Sequence, residues 1–319
     1  VSEVLLSVPL VIDTDAGVDD AFALMLALAS SRAHPLAITT VHGNVPVRQA
    51  TQNVCLIQDV MGREVPVYEG ASRPLLGEPL DATNIMGPDG LGGVTAWMQP
   101  SMRQKRASYA AIALTQWLRH RAYSAGITLV ALGPLTNLAL ALALQPDLPK
   151  HVTRLIIMGG TSEARGNASA VAEFNFFADP EAAARVLRAG FQEVWLLPWE
   201  TSLRYPIPWS DFDALLFPEN PRTQFARYIT GYLRERLQGL GMPGLVLPDL
   251  WAMLVALYPE CVRESVPVQA SVEMEGALGR GMLAISWYQT SAEPNLHLVT
   301  HLDVGRGVEI LRSILAGGG

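Results

Sequence analysis

Lysine is nearly missing from this chain. Of 23 basic residues only Lys105 and Lys150 are lysines, the arginines are scattered, and 30 Asp and Glu leave a net charge of -7. Without a basic stripe to meet a polyanion, nucleic acid is excluded as a partner and phosphate clamps have little to work with. Cysteine is as scarce: Cys55 and Cys261 lie far apart and match no C-x-x-C or Cys/His spacing. Neither a disulfide framework nor a zinc site is expected, and a reducing, cytoplasmic setting fits. Long apolar runs are missing too. The longest, Ala21 to Ala29, is about half of the roughly 18 residues that mark a membrane helix, so it reads as a buried helix and no membrane is expected as a partner. The first residues, Val1 to Val8, lack the basic region and small-residue cleavage site of a secretory signal. Charged residues are 17% of the 319, against 50% hydrophobic, enough apolar surface to offset chain entropy and exclude a disordered chain.

What is present is a repeated alternation of strand and helix. Runs rich in Val, Ile and Leu at Pro9 to Ile12, Leu36 to Val41, Val65 to Tyr68, Ile127 to Leu132, Arg154 to Met158 and Val194 to Leu197 lack alternation, so both faces are expected to be buried. Between them, helices are expected over Asp19 to Ala29, Pro46 to Met61, Arg103 to Tyr123, Leu135 to Leu144 and Pro180 to Ala189. This order predicts an α/β fold: an open, mostly parallel, Rossmann-like sheet with helices on both faces and its site beyond the carboxyl ends of the strands. Residues 198–250 are punctuated by prolines and predict two helical stretches with no clear strand, a helical excursion over the site. Met282 to Thr290 and Leu296 to Leu302 alternate like the strands of a C-terminal hairpin, and Val308 to Leu315 reads as a closing helix. No linker or repeat divides residues 1–319, which predicts a single domain.

Chemistry concentrates where the first strand ends. Asp13, Asp15, Asp19 and Asp20 place four carboxylates within eight residues, and charges so close raise one another's pKa unless a cation holds them ionised. The helix N-terminus near Asp19 and Asp20 relieves only part of this, and caps need two acidic residues, not four. With only hard oxygen ligands on offer, Ca²⁺ or Mg²⁺ is favoured. An EF-hand would want carboxylates or amides at alternate positions and a bidentate Glu at the twelfth, and the run does not fit that pattern. A haloacid dehalogenase-type phosphohydrolase would place a later Lys on a strand end, where neither lysine stands.

Four blocks together carry a resemblance: Asp13-Thr-Asp-Ala-Gly-Val-Asp-Asp20, Thr39-Thr-Val-His-Gly-Asn44, Ala131-Leu-Gly-Pro-Leu-Thr-Asn137, and Met158-Gly-Gly160 through Asn167 to Ala172-Glu-Phe-Asn175 and Asp179-Pro-Glu181. The chain resembles the inosine-uridine nucleoside hydrolases, calcium-dependent enzymes that cleave the N-glycosidic bond of ribonucleosides. It departs from the common first block in having Ala16 where proline is usual. The resemblance implies Ca²⁺ held by Asp15, Asp20, the backbone carbonyl of Leu132 and Asp249. It implies ribose held by Asp19, Asn44, Asn167, Glu173, Asn175 and Asp249, with Met158 under the sugar. It also implies that Asp15, with Asn44 beside it in the catalytic set, activates a calcium-bound water. A homodimer or homotetramer serving nucleoside salvage is expected on the same ground.

The residues suit this chemistry. Short amides and carboxylates each bond one or two hydroxyls and are left unpaired by a sugar lacking them. Asp249 precedes the apolar stretch Leu250 to Leu257, where a helix N-terminus would face the cation. Splitting a glycosidic bond needs an activated water, stabilised positive charge on the sugar and help for the leaving base. For that last need, many relatives carry a histidine where this chain has Pro248, and another where it has Met86. His42 is the histidine nearest a strand end in the site, and Trp199, Trp209, Tyr228, Tyr232 and Trp251 are candidates to sandwich a base, which slightly favours purines. The alternative is a ribonucleoside or ribose binder on the same scaffold with little or no activity.

Overall fold

A computed structural model describes residues 7–123, 126–288 and 293–318. The strands are β1 (Val8–Thr14), β2 (Ala33–Thr40), β3 (Val67–Glu69), β4 (Lys105–Arg106), β5 (Ile127–Ala131), β6 (Val152–Met158), β7 (Val194–Leu197), β8 (Ile207–Pro208), β9 (Gly244–Leu245), β10 (Val262–Val268), β11 (Ala270–Val272), β12 (Leu283–Ile285) and β13 (Leu296–Leu302). The helices are α1 (Val18–Ala29), α2 (Val47–Met61), α3 (Thr83–Met86), α4 (Ala110–Leu118), α5 (Thr136–Leu144), α6 (Phe174–Ala178), α7 (Pro180–Leu187), α8 (Trp199–Leu203), α9 (Trp209–Leu215), α10 (Pro221–Gly239), α11 (Pro248–Leu257) and α12 (Val304–Leu315).

Nine strands form the central sheet in the order β10-β13-β7-β6-β5-β1-β2-β3-β4. Every pairing is parallel except that of β10 with β13. The strand interiors are buried on both faces, as their unbroken Val, Ile and Leu runs require. One apolar cluster packs α1, α2, α10, α11 and α12 on one face, and a second packs α4, α5 and α7 on the other. From β1 the chain moves outward through β2 and β3, then returns to β5 on the opposite side of β1. That reversal opens a crevice at the carboxyl ends of β1 and β5, the usual place for a ligand in such sheets.

Three expectations are corrected. The C-terminal hairpin does not form: β13 inserts between β7 and β10, while β12 pairs antiparallel with β11. Gln289 and Thr290, the end of the expected first strand, lie outside the described residues. The helix expected over Arg103 to Tyr123 is shorter, because Lys105 and Arg106 pair with Val67 and Tyr68 as an edge strand and α4 starts only at Ala110. Residues 198–250 hold three complete helices, α8, α9 and α10, the start of α11, and a small antiparallel ribbon of β8 with β9. Among the described residues, no helix is long and apolar enough to cross a membrane.

Candidate active site

β1 carries Asp13 and Thr14 to its carboxyl end, and the chain turns through Ala16, whose φ of 53° lies in the left-handed region. This turn starts α1 at Val18 and puts Asp19 and Asp20 in its first turn. Asp13, Asp15, Asp19 and Asp20 are all buried. Asp20 accepts from the Gly17 N–H at 2.8 Å, from Asn44 Nδ2 at 3.1 Å and from the Thr14 hydroxyl. Asp15 is gripped by Asn44, whose backbone N–H donates to Oδ2 at 2.6 Å and whose Nδ2 donates to Oδ1 at 3.1 Å. Gly43 makes this approach possible, since a Cβ there would stand 2.0 Å from Asp15 Oδ2. Asp13 accepts from Asn137 Nδ2 at 2.8 Å, and burial pushes its carboxyl up to about 7.

Asp249, in the first turn of α11, meets this cluster from the helix packed beside α1 on the same face of the sheet. Carboxylate oxygens of Asp19, Asp20 and Asp249 lie within 4.8 Å of one another. Asp19 Oδ1 and Asp249 Oδ1 are buried without a hydrogen-bond partner. Burial, and then the charge of Asp20, push Asp19 up to about 8. Burial followed by the charge of Asp19 raises Asp249 well above the usual carboxylate range, and burial followed by Asp20 does so for Asp15. Orphaned, oxygen-only ligand atoms at this spacing fit a hard divalent cation, which would satisfy them and reverse these shifts. The trio differs from the ligand set expected from sequence: Asp19 joins it, whereas both oxygens of Asp15 are engaged by Asn44.

The opposite wall comes from the loop after β6 and from α6. Glu173 caps α6, accepting from the N–H groups of Asn175 at 2.8 Å, Phe176 at 3.2 Å and Gly160 at 2.8 Å. Burial nevertheless pushes it up to about 7. Asn175 Nδ2 donates to the carbonyls of Leu132 at 2.8 Å and Met158 at 3.2 Å, which ties the ends of β5 and β6 together. Asn167 Oδ1 accepts from the Phe174 N–H at 2.8 Å, which leaves its amide NH₂ for the cavity.

These walls enclose a cavity of about 250 Å³ lined by Asp19, Asn44, Leu132, Met158, Asn167, Glu173, Asn175 and Asp249. Asp15 and Asp20 are fully buried and touch the lining through Asn44. The rest of the lining is apolar, namely Ala82, Ile85, Met86, Phe174, Trp199, Leu233, Leu237, Leu240, Val246 and Pro248, and no Lys, Arg or His lines the cavity among the described residues. Sequence reasoning missed the leucines. Leu233, Leu237 and Leu240 recur at helical spacing along and just past α10, a signal that identifies an apolar face but not what the face covers.

Of the five aromatics considered for the base, only Trp199 lines the cavity. Trp251 is fully buried in the core, Trp209 lies under Arg234 and donates to the Met242 carbonyl, Tyr228 packs edge-on to Trp97, and Tyr232 lies under Arg236. His42 is buried away from the cavity with Nε2 3.1 Å from Thr136 Oγ1, and burial lowers its pKa to about 4. It does not line the cavity, and burial disfavours the charged imidazolium that would act as an acid toward a base there. Pro248 and Met86, the two positions where the resemblance led to the expectation of a histidine, both line the cavity.

A family model described as inosine-uridine preferring nucleoside hydrolase matches residues 10–309. The chain is 33% identical to the non-specific ribonucleoside hydrolase RihC of Escherichia coli, over 97% of this chain and 98% of that one. It is 32% identical to the pyrimidine-specific ribonucleoside hydrolase RihA of an Enterobacter species, over 98% of each. Among solved structures, an inosine-guanosine nucleoside hydrolase superposes with a TM-score of 0.90 at 34% identity, covering 98% of this chain and 99% of that one.

Proposed function

Because the chain belongs to the inosine-uridine preferring nucleoside hydrolase family and hydrolyses ribonucleosides to ribose and free base, we propose that Asp15 is its general base and Ca²⁺ its metal. The ligands are Asp15, Asp20, Asp249 and the Leu132 carbonyl, with Asp19 in the same cluster of oxygens. When bound, the cation supplies positive charge that acidifies water and orients sugar hydroxyls. Asp15, aimed by Asn44, takes a proton from water as its oxygen attacks the anomeric carbon on the face opposite the base. The carbon–nitrogen bond breaks, its electrons leave with the base, and the sugar inverts at the anomeric carbon because water attacks directly.

Asp19, Asn44, Asn167, Glu173, Asn175 and Asp249 hold the ribose, with Met158 beneath it. The surrounding carboxylates stabilise the oxocarbenium-like charge that develops on the sugar. The base lies in the apolar end against Trp199. Since no Lys, Arg or His lines the cavity among the described residues, the leaving nitrogen is protonated by solvent, which favours purines and other good leaving groups. The relatives' names span non-specific, pyrimidine-specific and inosine-guanosine enzymes, so overall similarity does not set base choice. We further place the whole chain in one domain that works as a homodimer or homotetramer. A reducing cytoplasm suits Cys55 and Cys261, which are buried and unpaired.

The observation that carries this reading is one cavity lined both by the carboxylates and amides of a metal-ready cluster and by a set of apolar side chains. The test is to incubate the protein with a panel of ribonucleosides and their 2′-deoxy counterparts in Ca²⁺, and to assay free sugar and base. Release from ribonucleosides that stops on chelation and returns with Ca²⁺ is expected. Full activity in metal-free protein would overturn the metal assignment.

A further inference from the structure

We propose that Glu200 is a positioning residue for the ribose site, holding the loop of residues 161–167 so that Asn167 faces the sugar. This rests on the assignment of Asn167 to ribose made above.

Glu200 is buried in α8, directly after Trp199, yet no Lys or Arg side chain pairs with it among the described residues. Its charge is spent on loop backbone. Oε2 accepts from the N–H of Ser162 at 2.7 Å and from its hydroxyl at 3.2 Å, while Oε1 accepts from the N–H groups of Glu163 at 2.9 Å and Arg165 at 3.1 Å. Four donors on one carboxylate fix the path of a segment whose Ala164 has a left-handed φ of 54°. Beyond Arg165 the loop closes on itself through the Gly166 N–H to the Ala170 carbonyl at 3.1 Å and the Asn167 N–H to the Ala172 carbonyl at 3.2 Å. The orientation of Asn167 therefore follows from where Glu200 holds the preceding residues.

The platform beneath Glu200 is itself fixed to the sheet. Thr201 Oγ1 donates to the Val299 carbonyl of β13 at 2.8 Å, and the Trp199 N–H donates to the Gly160 carbonyl at 3.0 Å. α8 thus presents Trp199 to the base end of the cavity and holds the sugar loop with the next residue. A glutamine at position 200 keeps the size but turns an NH₂ group toward backbone donors, which leaves at least one N–H unpaired and displaces the loop. Displacements of about 1 Å at a positioned group cost up to roughly a hundredfold in rate.

The experiment is a double-mutant cycle of Glu200→Gln and Asn167→Ala, read as kcat/KM for inosine at saturating Ca²⁺, with Glu200→Asp as the charge-retaining variant. Glu200→Gln is expected to lose roughly ten- to a hundredfold, Glu200→Asp to lose less, and the double variant to be no worse than the weaker single. Should Glu200→Gln fail to fold, Glu200→Asp takes its place in the cycle with the same expected non-additivity. Losses that multiply in the double variant, beside a clear defect from Asn167→Ala, would overturn the role of Glu200 alone. Wild-type kcat/KM in Asn167→Ala would instead overturn the ribose assignment, and this inference with it.

Discussion

Asn44 binds Asp15 twice, through its backbone N–H at 2.6 Å and its side-chain Nδ2 at 3.1 Å, and the same Nδ2 lies 3.1 Å from Asp20. One amide therefore orients the proposed base and a proposed metal ligand together. Asn44→Ala keeps the backbone bond and removes both side-chain bonds, so turnover should fall by roughly ten- to a hundredfold. Steady-state kinetics with metal content measured in parallel checks this, and an unchanged kcat would show that Asp15 needs no such support.

The apolar end of the cavity makes a prediction about leaving groups. With Pro248 and Met86 in the wall and no Lys, Arg or His lining the cavity among the described residues, p-nitrophenyl riboside, which needs no acid, should be the best substrate, followed by purine ribonucleosides and then uridine. Pro248→His should raise uridine turnover selectively. Equal rates for uridine and p-nitrophenyl riboside in the unmutated protein would reveal an acid that this arrangement does not contain.

His42 supplies a pH prediction. Burial holds its folded pKa near 4, against 6.5 for the free side chain. Between those values this group binds more protons in the unfolded chain than in the folded one, so its contribution to stability falls as pH drops through 6.5 toward 4. The buried carboxyls of Asp13, Asp19 and Glu173, pushed up to about 7 to 8, act in the opposite direction in both proteins, so the His42 contribution is read as a difference: the thermal midpoint of His42→Gln relative to the unmutated protein should rise as the pH is lowered from 7 to 4. A difference that does not change with pH would show that His42 does not titrate in this way.

Much of this architecture was legible in the sequence. The repeated order of strand and helix predicted a site beyond the carboxyl ends of the strands, and the acidic cluster after β1 marked where chemistry would concentrate, because crowded charge at a strand end has few physical solutions. Pairing partners were not legible. Alternation in Leu296–Leu302 identified a strand, but nothing local says that it inserts between β7 and β10. Lys105 and Arg106 gave no strand signal because their pairing with β3 is a backbone matter. Aromatic identity also misled: Trp251 and Tyr228 are rich in binding chemistry, yet side-chain direction is set by packing, and of the five candidates only Trp199 lines the cavity. Glu200 carried no motif at all, since its partners are backbone N–H groups.

Ala16 bears on stability. Its φ of 53° costs an L-residue about 1 kcal/mol, and its N–H donates to Thr14 Oγ1 at 3.1 Å. Ala16→Gly should stabilise the protein by up to about 1 kcal/mol in denaturant unfolding. Ala16→Pro should destabilise it, since proline can neither take a positive φ nor donate that hydrogen bond. A stabilising Ala16→Pro would mean that the turn readily adopts another path.

The most direct test of the account is the turnover of Asp15→Ala on inosine at saturating Ca²⁺, with bound calcium measured in the same preparation. Asp15 is fully buried and held by Asn44 at both oxygens, so its removal should cost roughly a thousandfold or more in kcat. Near wild-type turnover with calcium bound would contradict the assignment of Asp15 as the base.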